Sequence, residues 1–331
     1  MNNSKRKAIG RAKQEESVTR TRKTRITIFF SVFIVVIVMI VSGIAIYRNW
    51  VAPFKTIVID VNDNQISMRY FLKRVSLSGE EPMNMLNILT KEQMIMQSAE
   101  KSPFNIIITE DDMDKFARNI ASGENKTIDE DEFKEWYRQQ LNMTRLSDSE
   151  YKDLLRIGLL SMKMEEYLTK FIPTVAEQVF VNMISVIDYS KMETIKKKYE
   201  AGEDFASLAL EYSIDPDMGM KGGKLGWFPR GALDSMVDEV VFTLDVGSLS
   251  DPISLGEEMF VVLMVSEKTQ AREINEQSME ILKSGVLDEW LKNEYANQEV
   301  KYYGFNGGGY DSETDAWVKW QVWRMQQGQE E

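Results

Sequence analysis

The chain has 331 residues, 40 Lys and Arg against 52 Asp and Glu, a net charge of −12, and neither histidine nor cysteine. This excludes a Ser-His-Asp or Cys-His hydrolase, disulfides, thiol chemistry and any metal site built from those side chains. A body this acidic is poorly suited to nucleic acid, and no metal, cofactor or nucleic-acid partner is expected.

The chain opens on a polar tail, residues 1–25, holding nine Lys and Arg and two Glu. The run ITIFFSVFIVVIVMIVSGIAIY, residues 26–47, then carries no charge and no proline. As a helix its 22 residues span about 33 Å, enough for a hydrocarbon core of about 30 Å. It is too long for the apolar core of a cleaved signal peptide. The expectation is an uncleaved signal-anchor, one transmembrane helix. The positive-inside bias puts the tail in the cytoplasm and the acidic body on the other side.

Residues 62–172 read as mainly helical. TIVIDV (56–61) forms a short strand and Asn62-Asp63-Asn64 a turn. QISMRYFLKRV follows as a helix with Ile66, Tyr70, Leu72 and Val75 turned inward. A second helix covers Met83 to about Ala99. Thr109 and Asp112 cap a third, carrying Met113, Phe116, Ala117 and Ile120 and ending at Gly123. Asp129 opens a fourth, with Phe133, Trp136, Tyr137 and Leu141. Ser147 and Glu150 form a capping box for a long helix over about 148–171, stopped by Pro173. The many methionines serve either as core filling or as an adaptable binding face.

Beyond Pro173 the pattern changes to α+β. VFVNMISVI (179–187) reads as a strand, and Ser190 to Ala201 as a capped helix. Asp204 starts a second, short helix. A glycine-rich segment, GMKGGKLGWFPRGAL, precedes a helix or turn over Met236–Phe242, a turn at Asp245–Gly247, and a strand over 258–265. A last long helix covers about Arg272 to Tyr295, marked by Leu282, Val286, Leu287, Trp290 and Leu291. KYYGFNGGGY reads as a turn-rich aromatic segment. Trp317, Trp320 and Trp323 then recur every three residues on a short helix, to dock on the protein's own core or on a membrane-complex partner.

Several pieces match one family in its own order. These are VFVNMISV, KKKYEAGEDFASLALEYSIDP, GGKLGWFPRGALDSMVDEVVF, TLDVGSLSDPI and EEMFVVLMVSEK. The unit from Val179 to Lys268 resembles a parvulin-type peptidyl-prolyl isomerase domain, and VIDVNDNQISMRYFLKRV resembles the opening of the helical domain in SurA- and PrsA-type foldases. The resemblance implies a small antiparallel sheet with surrounding helices, joined to a helical chaperone domain and preceded by the transmembrane helix. The implied organisation is a cytoplasmic tail (1–25), a transmembrane helix (26–47), a helical chaperone domain (56–172) completed by a C-terminal helix (269–300), a parvulin-like domain (173–268) and a glycine- and aromatic-rich tail (301–331).

The same resemblance assigns the site. Asp215 stands where the family has its loop Cys or Asp and is the candidate catalytic residue. Leu225 and Leu233 match two residues lining the proline slot, while Val237 replaces the usual Phe. Met183 replaces one family histidine, and Phe260 or Val261, depending on how the strand is counted, replaces the other. Trp227 and Phe228 belong to the core or the slot rim. Isomerisation needs no nucleophile or cofactor, only an apolar slot and dipoles that favour the twisted amide, so the missing histidines leave two readings open. One is an isomerase acting on newly exported, unfolded polypeptides. The other is a histidine-free holdase or assembly factor.

Overall fold

The computed structural model describes residues 33–123, 127–256, 259–305 and 308–327. The basic tail and residues 26–32 of the expected anchor lie outside the described residues. Among those described, no helix is long and apolar enough to cross a membrane. Residues 33–46 form helix α1, which runs through a π-helical turn (Tyr47–Val51) into α2 (Ala52–Lys55).

The chain divides into two compact units. The first joins residues up to Met94 with Ile128–Tyr151 and Gln298–Glu331. Its sheet has the order β2-β1-β7, from β1 (Ile57–Val61), β2 (Asn64–Ser67) and β7 (Val300–Tyr302), all antiparallel. Asn62 and Asp63 both take positive φ, 49° and 67°, which matches the twist of a two-residue hairpin turn. The Asp60 carboxylate accepts from the Asp63 N–H and the Gln65 amide at 3.0 and 2.9 Å.

This corrects the expectation of a helix from Gln65, because Ile66 pairs with Ile59 in the sheet. The helix α3 (Met68–Ser78) starts only where the Ser67 hydroxyl accepts from the Tyr70 N–H, and it ends at Gly79 with φ 71°. Met68, Phe71, Leu72 and Val75 are its buried stripe, at helical spacing. Tyr70 lies at the margin of that stripe.

In the same unit α4 (Pro82–Ala99) contributes buried Met85, Leu86, Leu89 and Met94. The helix α6 (Glu130–Thr144) is capped by Asp129. The end of the chain also belongs here. Tyr302 pairs with Ile59 and its hydroxyl meets buried Thr90 at 3.0 Å. Lys301 and Tyr302 are therefore strand rather than turn, and α13 (Ser312–Gln327) buries Thr314, Val318 and Gln321.

The second unit joins Ile95–Thr127 with Lys152–Asn297. Its helix α5 (Glu110–Ser122) carries the Thr109/Asp112 capping box, and α7 (Asp148–Thr169) enters it from the Ser147/Glu150 box, whose residues belong to the first unit. Its sheet has the order β4-β3-β6-β5, again antiparallel throughout, from β3 (Val175–Val186), β4 (Lys224–Pro229), β5 (Ile253–Ser254) and β6 (Phe260–Glu273). Both long strands exceed their expected lengths. Val175 pairs with Glu273, so β6 extends past residue 265 and α12 (Glu276–Tyr295) starts at its Asn275 cap rather than at Arg272.

The helices α8 (Tyr189–Glu200) and α9 (Phe205–Tyr212) pack Met192, Ile195, Phe205 and Leu208 on one face of this sheet with Ile184, Val186 and Val262. The first of these is capped by Asp188, not Ser190. Ser190 lends its backbone N–H to that cap.

Candidate functional site

The opposite face of the four-stranded sheet holds the candidate site. Period-2 alternation sends Val179 and Val181 from β3, and Val261, Leu263 and Val265 from β6, into one apolar cluster with Val237, Val241 and Phe242 of α11 (Ser235–Thr243). Met183, Leu225, Phe228 and Leu233 are only partly buried and pack against that cluster. Leu225 reaches this face through a bulge. Val181 pairs with Gly226 and Asn182 with Lys224, leaving Leu225 as the extra residue.

Six of the nine expected site residues thus meet in one place: Met183, Leu225, Phe228, Leu233, Val237 and Val261. Two do not. Phe260 pairs with Val186 and packs on the α8–α9 face, its ring 5.3 Å from Tyr189. The two ways of counting the strand put Phe260 and Val261 on opposite faces, and only Val261 belongs to this cluster. The residue directly across from Met183 is Leu263. Trp227 pairs with Phe180 on the other face, its ring 5.5 Å from that phenylalanine and covered by Arg272 at 4.5 Å. It braces the sheet and lies off this apolar face.

Asp215 is exposed and is the N-cap of α10 (Pro216–Met220). Its Oδ1 accepts from the backbone N–H of Asp217 and Met218 at 2.9 and 3.1 Å. A relay of backbone bonds ties this cap to the apolar face. The Ile214 N–H donates to Ser185 O, the Gly223 N–H to Met218 O, and the Met183 N–H to Gly223 O, at 2.8, 2.9 and 2.8 Å. The arrangement therefore presents a half-buried apolar surface with a carboxylate tethered at the end of the strand that carries Met183.

Residues 188–267 match the rotamase family, described as the PPIC-type PPIase domain. These residues are a PPIC-type peptidyl-prolyl isomerase domain. The chain is 31% identical over 178 residues to the foldase protein PrsA of Geobacillus sp. strain WCH70, covering 49% of this chain and 64% of that protein. It is 26% identical over 235 residues to PrsA of Geobacillus kaustophilus, covering 65% and 82%. It is 31% identical over 130 residues to the chaperone SurA of Methylococcus capsulatus, covering 39% and 24%. The chain thus spans a little under two thirds of the first of these relatives and a quarter of the last.

The candidate site also brings in residues that the sequence reading passed over. Leu255 and Leu244 join the half-buried rim. Ser185 lies two residues beyond Met183 on the same strand face, and its hydroxyl is 3.4 Å from that of Ser213 beside Asp215. Strand periodicity alone would have found it.

Asp238 fixes the loop that presents Leu233. Its Oδ1 accepts from the Gly231 N–H at 2.8 Å, where Gly231 has φ 84°, and its Oδ2 lies 3.8 Å from Arg230. The Arg230 guanidinium rests on the Phe242 ring at 4.1 Å. Burial raises the Asp238 pKa above the usual carboxylate value, against the opposing pull of the Gly231 N–H and Arg230.

A raised folded-state pKa contributes stability that is full below the unfolded value, about 3.9, and is lost as pH rises through the folded one. Asp238→Asn keeps an oxygen for Gly231 and removes the desolvated charge. Its stability relative to the parent is expected to shift in the variant's favour between about pH 3 and pH 7. Denaturant midpoints at the two pH values check this, and a shift in the parent's favour would mean that Arg230 dominates the site.

Proposed function

We propose that this chain is a membrane-anchored, extracytoplasmic foldase that catalyses cis–trans isomerisation of Xaa-Pro bonds in unfolded, newly exported polypeptides. The observation that carries the reading is the half-buried face of Met183, Leu225, Phe228 and Leu233 over Val237 and Val261, all but Met183 within the residues that match the PPIC-type domain, and joined by backbone bonds to Asp215. The relatives' names, foldase PrsA and chaperone SurA, support the choice of substrate class.

The barrier to peptide rotation, about 18–20 kcal/mol for an ordinary bond, comes from amide resonance, which separates charge. Twisting the bond removes that charge separation. An apolar face that displaces water from the proline ring and its amide therefore favours the twisted state over the planar one. Asp215 supplies negative charge at the rim.

The anchor is supported by α1, whose apolar side chains stand open along its length. Phe33, Val35, Met39, Ile44 and Ile46 are 53–61% exposed. A helix apolar all round matches a lipid environment. The basic tail before it supports the orientation.

A specific observation favours the holdase alternative. Asp215 Oδ1 is taken up by the cap of α10, and no histidine exists to orient the carboxylate. The decisive test is NMR exchange on short Xaa-Pro peptides with the full chain in detergent. Leu225→Ala and Leu233→Ala are each expected to lower the rate about tenfold or more. Asp215→Asn keeps a good cap, so a fall in its rate isolates the carboxylate charge. Asp215→Ala additionally loses about 1 kcal/mol of capping. A well-folded parent that produces no exchange above background leaves the holdase.

A further inference from the structure

The geometry points to a second membrane contact: the outer edge of α13, through Trp320 and Trp323, lies in the lipid headgroup layer beside the exit of the anchor helix. This rests on the anchor proposed above. Of the three tryptophans on α13, Trp317 turns inward, its ring 5.4 Å from Phe54 and 4.8 Å from Phe305. Thr314, Val318 and Gln321 complete that inner face. Trp320 and Trp323 point outward and are 48% and 56% exposed. An outward pair of indoles on an otherwise docked helix is a large apolar surface to leave in water.

The tie to the anchor is direct. Trp50 follows the apolar run by three residues and is 62% exposed. The Arg324 guanidinium sits 4.8 Å from the Trp320 ring and 5.8 Å from the Trp50 ring. It therefore bridges the two, and Trp320 stands at the level where the anchor leaves the hydrocarbon. Three residues of helix are about 4.5 Å, within the interfacial layer of roughly 5–7 Å on each side of the hydrocarbon, where indoles are enriched. Arg48, Lys55 and Arg324 add positive charge at this level of an otherwise acidic chain, suited to anionic headgroups. The β1–β7 pairing and the Lys319–Glu81 ion pair at 2.8 Å hold α13 in place without the membrane.

The test uses the full chain in phosphatidylcholine–phosphatidylglycerol vesicles containing lipids brominated near the headgroup, which quench only tryptophans in contact with them. The parent is expected to be quenched. In Trp320→Phe/Trp323→Phe the quenched component should fall about threefold, one of three interfacial rings remaining. Both side chains are exposed, so the core is untouched, and far-UV circular dichroism verifies the fold. Quenching that survives the double variant but vanishes in Trp50→Phe overturns the inference while keeping the anchor, and points to a protein partner for α13. A chain extracted from the vesicles by alkaline carbonate overturns both.

Discussion

Replacing Glu92 with Ala is expected to remove about 3–5 kcal/mol of folding stability, because it leaves a buried cation without its counter-ion. Arg74 is on the inner side of α3 and only 6% exposed. Its Nη1 and Nη2 donate to the two Glu92 oxygens at 2.7 Å each, and Nη1 also donates to the Tyr70 hydroxyl at 3.0 Å. Burial by itself would lower the guanidinium pKa. The hydrogen bonds and charge of Glu92 outweigh that, so it is raised above its ordinary value and Arg74 stays charged at any accessible pH.

The paired change Arg74→Met/Glu92→Leu should be close to neutral, since it removes both desolvated charges and keeps apolar volume. Denaturant midpoints of the full chain in detergent give both numbers. A loss below about 1 kcal/mol for Glu92→Ala would place the pair in water, contrary to the burial of Arg74.

Gly223→Ala is the second large effect, about 2–5 kcal/mol. Gly223 has φ 75°, and a left-handed conformation costs an L residue about 1–2 kcal/mol. A Cβ there would also stand 2.6 Å from the Met183 carbonyl oxygen, 3.0 Å from the Phe205 ring and 3.2 Å from the Ala209 methyl. All three neighbours are backbone or buried core, so the strand must shift, adding about 1–3 kcal/mol of overpacking.

Gly247→Ala is the control. It has φ 81° but open space around it, so it should show only the conformational part. Equal losses for the two variants would mean that the close approach to Met183 relaxes freely. Because the Met183 N–H donates to Gly223 O, Gly223→Ala should also speed amide exchange at Met183 and lower any isomerase rate, through displacement of Met183 and Leu225.

Local chemistry made much of the fold legible. The capping pairs Thr109/Asp112 and Ser147/Glu150, the Asp129 and Asp204 caps, and the inward Leu72 and Val75 of α3 depend on residues within one helical turn. A sequence displays such interactions directly. What failed was longer in range. The segment Asn64–Ser67 is too short and polar to look like a strand, and only its hairpin register with β1 makes it one. The far ends of β3 and β6 are mostly half-buried or exposed, so their side chains carry no alternation. Their pairing over Val175–Glu273 is a property of two strands together.

The site divides the same way. The order of the pieces in the PPIC-type domain, and the identities of Met183, Leu225, Leu233, Val237 and Asp215, were available from the chain alone, as were the apolar run at 26–47 and the absence of histidine and cysteine. Only the tertiary structure decided that Phe260 faces away while Val261 joins the apolar face, because a one-residue change of register moves a side chain to the other side of a sheet. It also decided that Leu225 reaches that face through a bulge, that the Asp215 carboxylate caps α10, and that the end of the chain returns to β1 and places Arg324 near both the Trp320 and the Trp50 ring. Each of these depends on where a strand or helix meets a partner far off in sequence, and side-chain chemistry read in order carries no measure of that distance.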